Sequence, residues 1–163
     1  MKRIIVIGCP GSGKSTFSKA LHDITKIPLY HLDMLLWNAD KTTVERSIFL
    51  NRLYEILKTD EWIIDGNYFS TMKLRIKECD TVFFLDYPTE VCLDGIKSRQ
   101  GKVRSDMPWI ETEEDPEFID FIKNYNIQSR PKVIELLEKN SEKSIYIFKS
   151  RDEANEHIKA LRL

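Results

Sequence analysis

At 163 residues and 19.2 kDa, the chain is the size of one domain that buries about two thirds of its unfolded surface. Its 25 basic and 26 acidic residues leave a net charge of −1 and a pI near 6.3, a balance that does not support direct nucleic-acid binding through a basic face. No apolar run approaches the roughly 20 residues that span a bilayer, and the aliphatic stretch Ile4–Ile7 is too short for the core of a secretory leader.

In chain order, Arg3–Ile7 (RIIVI) reads as a buried strand, short, β-branched and ended by a glycine. A helix is predicted from Lys14 to Ile24, then a second short strand over 27–31 (IPLYH). Thr42-x-x-Glu45 has the form of a capping box opening a helix to Lys58, with Val44, Ile48, Leu53 and Leu57 near one face. WIID (62–65), TVFFLD (81–86) and SIYIF (144–148) are three more short strands. Helices are predicted over 88–100, in a segment running up to Lys139, and after the capping box Ser150-x-x-Glu153. Alternating strands and helices imply a parallel sheet covered on both faces, the three-layer α/β/α class.

Cys9, Cys79 and Cys92 lack metal-ligand spacing and read as reduced thiols of a cytoplasmic protein. The main compositional break is Arg99–Glu117, basic at first (with Lys97 and Lys102 nearby) and then acidic in ETEEDPE, as expected of a solvated or mobile insertion. No heptad repeat or other assembly signal appears, so the oligomeric state stays open.

Gly8-Cys9-Pro10-Gly11-Ser12-Gly13-Lys14-Ser15 matches the phosphate-binding pattern G-x4-G-K-[ST] in full, between a predicted strand and a predicted helix. Gly8, Gly11 and Gly13 let backbone N–H groups, Ser12's included, turn inward around phosphates, and the helix N-terminus adds its positive dipole end. Lys14 then reaches the β- and γ-phosphates of ATP, the Ser15 hydroxyl binds Mg²⁺, and Thr16 extends the contacts to the α-phosphate. Guanine-specific GTPases carry an Asn-Lys-x-Asp motif that is missing here.

GCPGSGKST, HLDMLLW, WIIDGNY, TVFFLDYP and SRPKVIELL together resemble the bacterial adenylate-kinase-related P-loop proteins called topology modulation proteins. More broadly the layout is similar to nucleoside monophosphate kinases and shikimate kinase. The resemblance implies a P-loop NTPase fold with a five-stranded parallel sheet of order 2-3-1-4-5, in one domain over 1–163. It also implies a substrate-binding segment at about 32–60 and a lid at about 99–130, with ATP, Mg²⁺ and a small-molecule phosphoryl acceptor as partners. DGNY stands where adenylate kinases have D-G-[FY]-P-R, and that motif's proline and arginine are missing.

Within this frame Asp65, ending the third strand, is expected to hold the water shell of Mg²⁺, with Asn67 beside it facing the acceptor. Asp86 is expected to be a strand-end residue. Asp33 either assists an acceptor hydroxyl, directly or through Mg²⁺-bound water, or caps a helix; these roles are compatible. His31 is read as a strand-end packing residue and Trp37 as a candidate wall of the acceptor pocket. Arg99 and Arg104, flanking Gly101, look like the front of a lid that brings cations to the transferred phosphoryl group, Arg99 serving the nucleotide as well. Arg130, in a stretch similar to the arginine-proline segment of shikimate kinase, is expected to re-enter the site. Arg75 is a candidate anchor for an acceptor anion, and Arg151 lies where related kinases wrap a loop over adenine. Met107–Phe118 is expected to be the lid tip that excludes water. The rival class is a nucleotide-switched regulator that uses the same loop without an acceptor pocket.

Overall fold

The computed structural model describes residues 1–163. Strands β1 (Arg3–Gly8), β2 (Leu29–His31), β3 (Trp62–Asp65), β4 (Thr81–Leu85) and β5 (Ser144–Phe148) form one parallel sheet of order β2-β3-β1-β4-β5. Around it lie helices α1 (Lys14–Thr25), α2 (Leu32–Leu36), α3 (Arg46–Leu57), α4 (Phe69–Glu78), α5 (Thr89–Arg99), α6 (Pro116–Gln128), α7 (Arg130–Glu138) and α8 (Arg151–Leu161). None is long and apolar enough to cross a membrane.

The aliphatic run of β1 is explained by its central place, because successive side chains of a strand point to opposite faces and here both are covered. Ile4 and Val6 join Phe83 and Leu85 in a core closed by α1, α5, α6 and α8. Ile5 and Ile7 join Ile64, Val82 and Phe84 in a second core closed by α3, α4 and α7. β1, β3 and β4 are buried along almost their whole length. Ligands of such sheets bind beyond the carboxyl ends of the strands, where Gly8, His31, Asp65 and Leu85 lie.

Several local expectations are corrected. Thr42 and Glu45 form no capping box: residues 36–44 fold into a small hairpin with Trp37 bridging Thr43, and α3 begins at Arg46 without a side-chain cap. Val44 therefore lies outside the helix, Ile48 is exposed, and the buried stripe is Phe49, Leu53, Ile56 and Leu57. β2 starts at Leu29 rather than Ile27. The segment up to Lys139 holds two helices, α6 capped by Asp115 with Pro116 in its first turn, and α7 starting at Arg130 beyond Ser129. Of the expected lid only 100–115 is irregular. At Ser150 the cap forms, its hydroxyl accepting from Glu153 N–H at 3.2 Å, while the Glu153 carboxylate turns to the Lys149 amide.

α4 is absent from the sequence expectation. Its buried stripe is Thr71, Met72, Arg75 and Ile76, half of it polar, so the apolar periodicity that normally betrays a helix is hidden.

Candidate active site

The loop between β1 and α1 folds as its glycines require. Gly11 and Gly13 have φ of 84° and 93°, left-handed values that a side chain strains, and Gly13 is the N-cap of α1. Gly8 N–H is fixed from outside by the Asn67 Oδ1, at 3.1 Å. Lys14 curls over the loop, Nζ donating to the carbonyls of Gly8 (3.0 Å) and Cys9 (3.3 Å). Burial pulls the Lys14 pKa below its ordinary value, opposed chiefly by the negative field of Asp65 and then by Cys9 and Asp33. The buried Ser12 hydroxyl has no partner. An ammonium spent on its own loop's carbonyls, an orphaned hydroxyl and the free end of α1 together fit a polyphosphate.

A close contact that the sequence did not announce braces the loop from behind. A Cβ on Gly95, in α5, would lie 2.0 Å from the Gly11 carbonyl oxygen, and one on Gly11 equally close to the Cys92 carbonyl. Backbone thus meets backbone, and neither side has a flexible atom to give. Gly95→Ala is expected to push α5 off the loop, costing about 1–3 kcal/mol of stability, as overpacked sites do. It is also expected to weaken nucleotide binding roughly tenfold, about 1.4 kcal/mol. Paired thermal melts and nucleotide titrations test this; unchanged nucleotide affinity would refute the bracing role.

On the β2–β3 side two carboxylates face the loop. Asp65 accepts from His31 Nδ1 at 2.7 Å, which ties the ends of β2 and β3 together. Burial opposes charge on His31, but the bond to Asp65 and its charge prevail and raise the His31 pKa. Asp33 does not cap α2, whose N-cap is His31; it lies in the first turn and accepts a short bond from the Tyr68 hydroxyl, which itself accepts from Trp37 Nε1 at 3.2 Å. Burial raises the Asp33 pKa, against the lowering pull of the Tyr68 bond and of Lys14. Tyr68 was read only as part of DGNY; here it orients both Asp33 and Trp37.

The loop 100–115 crosses the front of the cleft. Arg99 is forked on Glu111 (3.0 and 3.4 Å), and Arg104 bonds Asp106 (3.0 and 3.3 Å) and Glu111 (3.3 Å). Asp106 in turn accepts the Ser15 hydroxyl at 2.6 Å. Burial works to raise the Asp106 pKa, but the Ser15 bond and the Arg104 charge overcome it and hold it below the usual aspartate value. Trp109 meets Trp37 edge-on, centroids 5.1 Å apart. Asp106, Glu111 and Trp109 were not anticipated; the one available signal was that the basic and acidic residues of this stretch interleave at R-S-D and again at Glu111.

One cleft of about 1540 Å³ gathers Gly11, Gly13–Thr16, Asp33, Trp37, Asp65, Asn67, Arg99, Arg104 and Arg151. Two of the expected arginines are elsewhere. Arg75 is 0% exposed, its guanidinium donating to the carbonyls of Gly66 (3.1 Å), Asn67 and Tyr68 (3.1 Å) and to Thr71 Oγ1 (3.2 Å). Its donors are turned onto backbone and Thr71, away from the cleft, as in a structural strut. Arg130 is forked on Asp86 (2.8 and 2.8 Å), which also takes Lys149, and does not line the cleft. Asp86 at the end of β4 is thus the hub joining α7 and the β5–α8 loop.

Burial acts to raise the Asp86 pKa, but Arg130 and Lys149 more than offset it and depress it. A depressed carboxylate adds stability that is present above its unfolded value, about 3.9, and is lost as pH falls through the folded value. Asp86→Asn is therefore expected to be less stable than the parent at pH 7, with the gap closing below about pH 4. Urea melts across that range check it; a pH-independent gap would exclude the linkage.

Arg151 donates to the carbonyls of Gly11 and Ser12 (3.1 Å each) and lies over the Tyr87 ring at 5.7 Å. It divides the main cleft from a second pocket of about 580 Å³ lined by Tyr87, Val91, Gly95, Ser98 and residues 149–152. That pocket adjoins the loop on the side away from Asp33, where a flat base attached to loop-bound phosphates has room.

No family model matches the chain. An adenylate kinase of Thermotoga maritima is 32% identical over 109 residues, covering 63% of this chain and 49% of that protein, so the chain spans about half the length of the curated relative it matches. Among solved structures, a shikimate kinase from Bacteroides thetaiotaomicron aligns over 99% of this chain and 96% of its own, with TM-score 0.57 and 22% identity. A shikimate kinase from Aquifex aeolicus aligns over 98% and 92%, with TM-score 0.56 and 20% identity. The sheet order, the loop at the end of β1 and these structural likenesses establish the P-loop kinase fold.

Proposed function

We propose that the protein is a Mg²⁺-dependent P-loop kinase that transfers the γ-phosphoryl group of ATP to a small acceptor. The observation that carries this is the convergence, in one cleft, of a phosphate loop closed by Lys14 with Asp33, Asp65 and the two lid arginines. Likeness to adenylate kinase in sequence and to shikimate kinase in fold supports the same reading. So does the resemblance to the topology modulation proteins, since HLDMLLW and WIIDGNY supply Asp33, Trp37, Asp65 and Tyr68.

The triphosphate lies on the Gly8–Thr16 backbone with its base in the pocket beside Arg151. Lys14 leaves the carbonyls of Gly8 and Cys9 for the β- and γ-phosphates. Ser15 and, by way of water, Asp65 would hold Mg²⁺, which would supply positive charge to offset that of the phosphate oxygens. Asp106 must then release the Ser15 hydroxyl, and Arg99 and Arg104 exchange carboxylate for phosphate oxygens as the lid closes on the substrates. Asp33, oriented by Tyr68 and with its pKa raised by burial, accepts the proton of an acceptor hydroxyl. Most of the acceleration comes from positioning and fixed charge, with water kept out by the closed lid.

The test is ADP formation from Mg-ATP with a panel of nucleosides, nucleoside monophosphates and small alcohols, with Lys14→Ala as blank. Acceptor-stimulated formation lost in the blank supports the kinase. Slow hydrolysis indifferent to every acceptor favours a nucleotide-switched regulator instead.

A further inference from the structure

The acceptor end of the cleft differs in charge from what a phosphorylated or carboxylated acceptor needs. Its apolar walls are Trp37, Tyr68, Phe69, Met72 and Trp109, and Asp33, held by the Tyr68 hydroxyl, lies among them with Asn67 and Asp65 nearby in the lining. An anionic acceptor in a low-dielectric site requires paired cations, arginine forks above all. Each arginine near this cleft is already held. Arg75 is sealed beneath it on backbone carbonyls, Arg99 and Arg104 sit on Glu111 and Asp106 and leave them, in the kinase reading, for the phosphates of ATP, and Arg151 is on the loop's far side. Lys14 belongs to the phosphates. The remaining lysines of the lining, Lys19 and Lys41, are exposed to water.

The negative charges do the opposite. Asp33, Asp65 and Asp106 all line this cleft, and the charges of the other two, like burial, work against the negative charge of Asp33. A carboxylate or phosphate placed beside Asp33 adds a further like charge to that group. An ammonium relieves it, and a neutral hydroxyl needs only the Asp33 oxygen. The aromatic surface of Trp37, Trp109 and Tyr68 suits an apolar ring, and also a cation resting against ring faces.

We propose that the acceptor is an alcohol without negative charge, neutral or bearing an amine, on an apolar ring. This rests on the kinase reading above and narrows it. In the step, the acceptor oxygen forms a bond to Pγ as the bond from Pγ to the β–γ bridging oxygen breaks. The hydroxyl proton passes to Asp33, and ADP leaves. The products are a phosphate monoester, ADP and a proton later released from Asp33, so atoms and charge balance without any further reactant.

The probe is a matched series of cyclohexanols carrying an aminomethyl group, no further group, a carboxylate or a phosphate. Each is titrated into the full chain with a non-hydrolysable ATP analogue and Mg²⁺ present, while the Trp37 indole N–H is followed by ¹⁵N NMR. The expected result is that the neutral and ammonium members shift this signal at concentrations at least tenfold lower than the anionic members. Asp33→Asn is expected to reduce the preference for ammonium over carboxylate, an effect that a purely structural Asp33 would not have. Equal or stronger response to the anionic members, or no response to any member, overturns the proposal. The kinase reading fails separately, if the neutral members bind and yet give no ADP from Mg-ATP above the Lys14→Ala blank. Preferential phosphorylation of an anionic member keeps the kinase and removes the acceptor class.

Discussion

Lys14→Ala is expected to lower Mg-ATP turnover by about 10²–10³-fold, roughly 3–4 kcal/mol of transition-state stabilisation, the loss seen when one preorganised charge stabiliser is removed. The structure gives a reason for a large effect. The ammonium is drawn to the two carbonyls at the start of the loop and sits in the field of Asp65 and Asp33. It is therefore held at the loop before phosphate arrives, and has only to turn from carbonyl to phosphate oxygens. Removing it also leaves those carbonyls without their donor, so a melt must accompany the assay. A variant that melts like the parent and turns over at the parent rate would end the phosphoryl-transfer reading.

Arg75→Ala is expected to have the largest effect on stability, a loss of about 3–5 kcal/mol, as for stripping several buried carbonyls of their donor and leaving a cavity behind. For a domain of this size each kcal/mol moves Tm by about 2–4 °C, so the melt should fall by roughly 6–20 °C. The guanidinium joins three successive carbonyls, of Gly66, Asn67 and Tyr68, to α4, and no water reaches it. Those residues carry the Asn67 side chain that holds Gly8 and the Tyr68 hydroxyl that holds Asp33, so the loss should spread to the site. Arg75→Lys, which keeps the charge but cannot fork over three carbonyls, should fall between the two. If Arg75→Ala melts like the parent but raises the acceptor KM alone, the residue is an anion anchor after all.

What was legible in the sequence was contiguous and local. The phosphate loop needs its glycines, lysine and serine within eight positions, so a single stretch of chain carried it. The strands were legible because both faces of a central parallel sheet demand unbroken aliphatic runs, as in RIIVI and TVFFL. The sheet order came from resemblance, and the structure has it. What stayed hidden depends on distant partners. Arg130 reads as a surface or site arginine until Asp86, 44 positions earlier, is seen beneath it. Arg75 reads as a candidate anion anchor, because only the folded backbone turns three carbonyls toward it. Asp106 and Glu111 lie in an aperiodic loop, where no spacing rule links a carboxylate to Ser15, 91 positions away.

Arg99 and Arg104, proposed above to meet phosphate, are already paired with Glu111 and Asp106, carboxylates that a polyphosphate would have to displace in that reading. Nucleotide capture at that edge of the cleft is then an exchange of one set of bound anions for another rather than a discharge of loosely held counterions. An exchange of this kind depends less on ionic strength than the release that governs binding of polyanions to open basic surfaces. The pairs are partly shielded from water, which weakens screening further. Affinity for the triphosphate would accordingly hold nearly level across a range of salt that strips ligands from unpaired arginines, with the carboxylates of the lid setting the threshold that an entering anion must exceed.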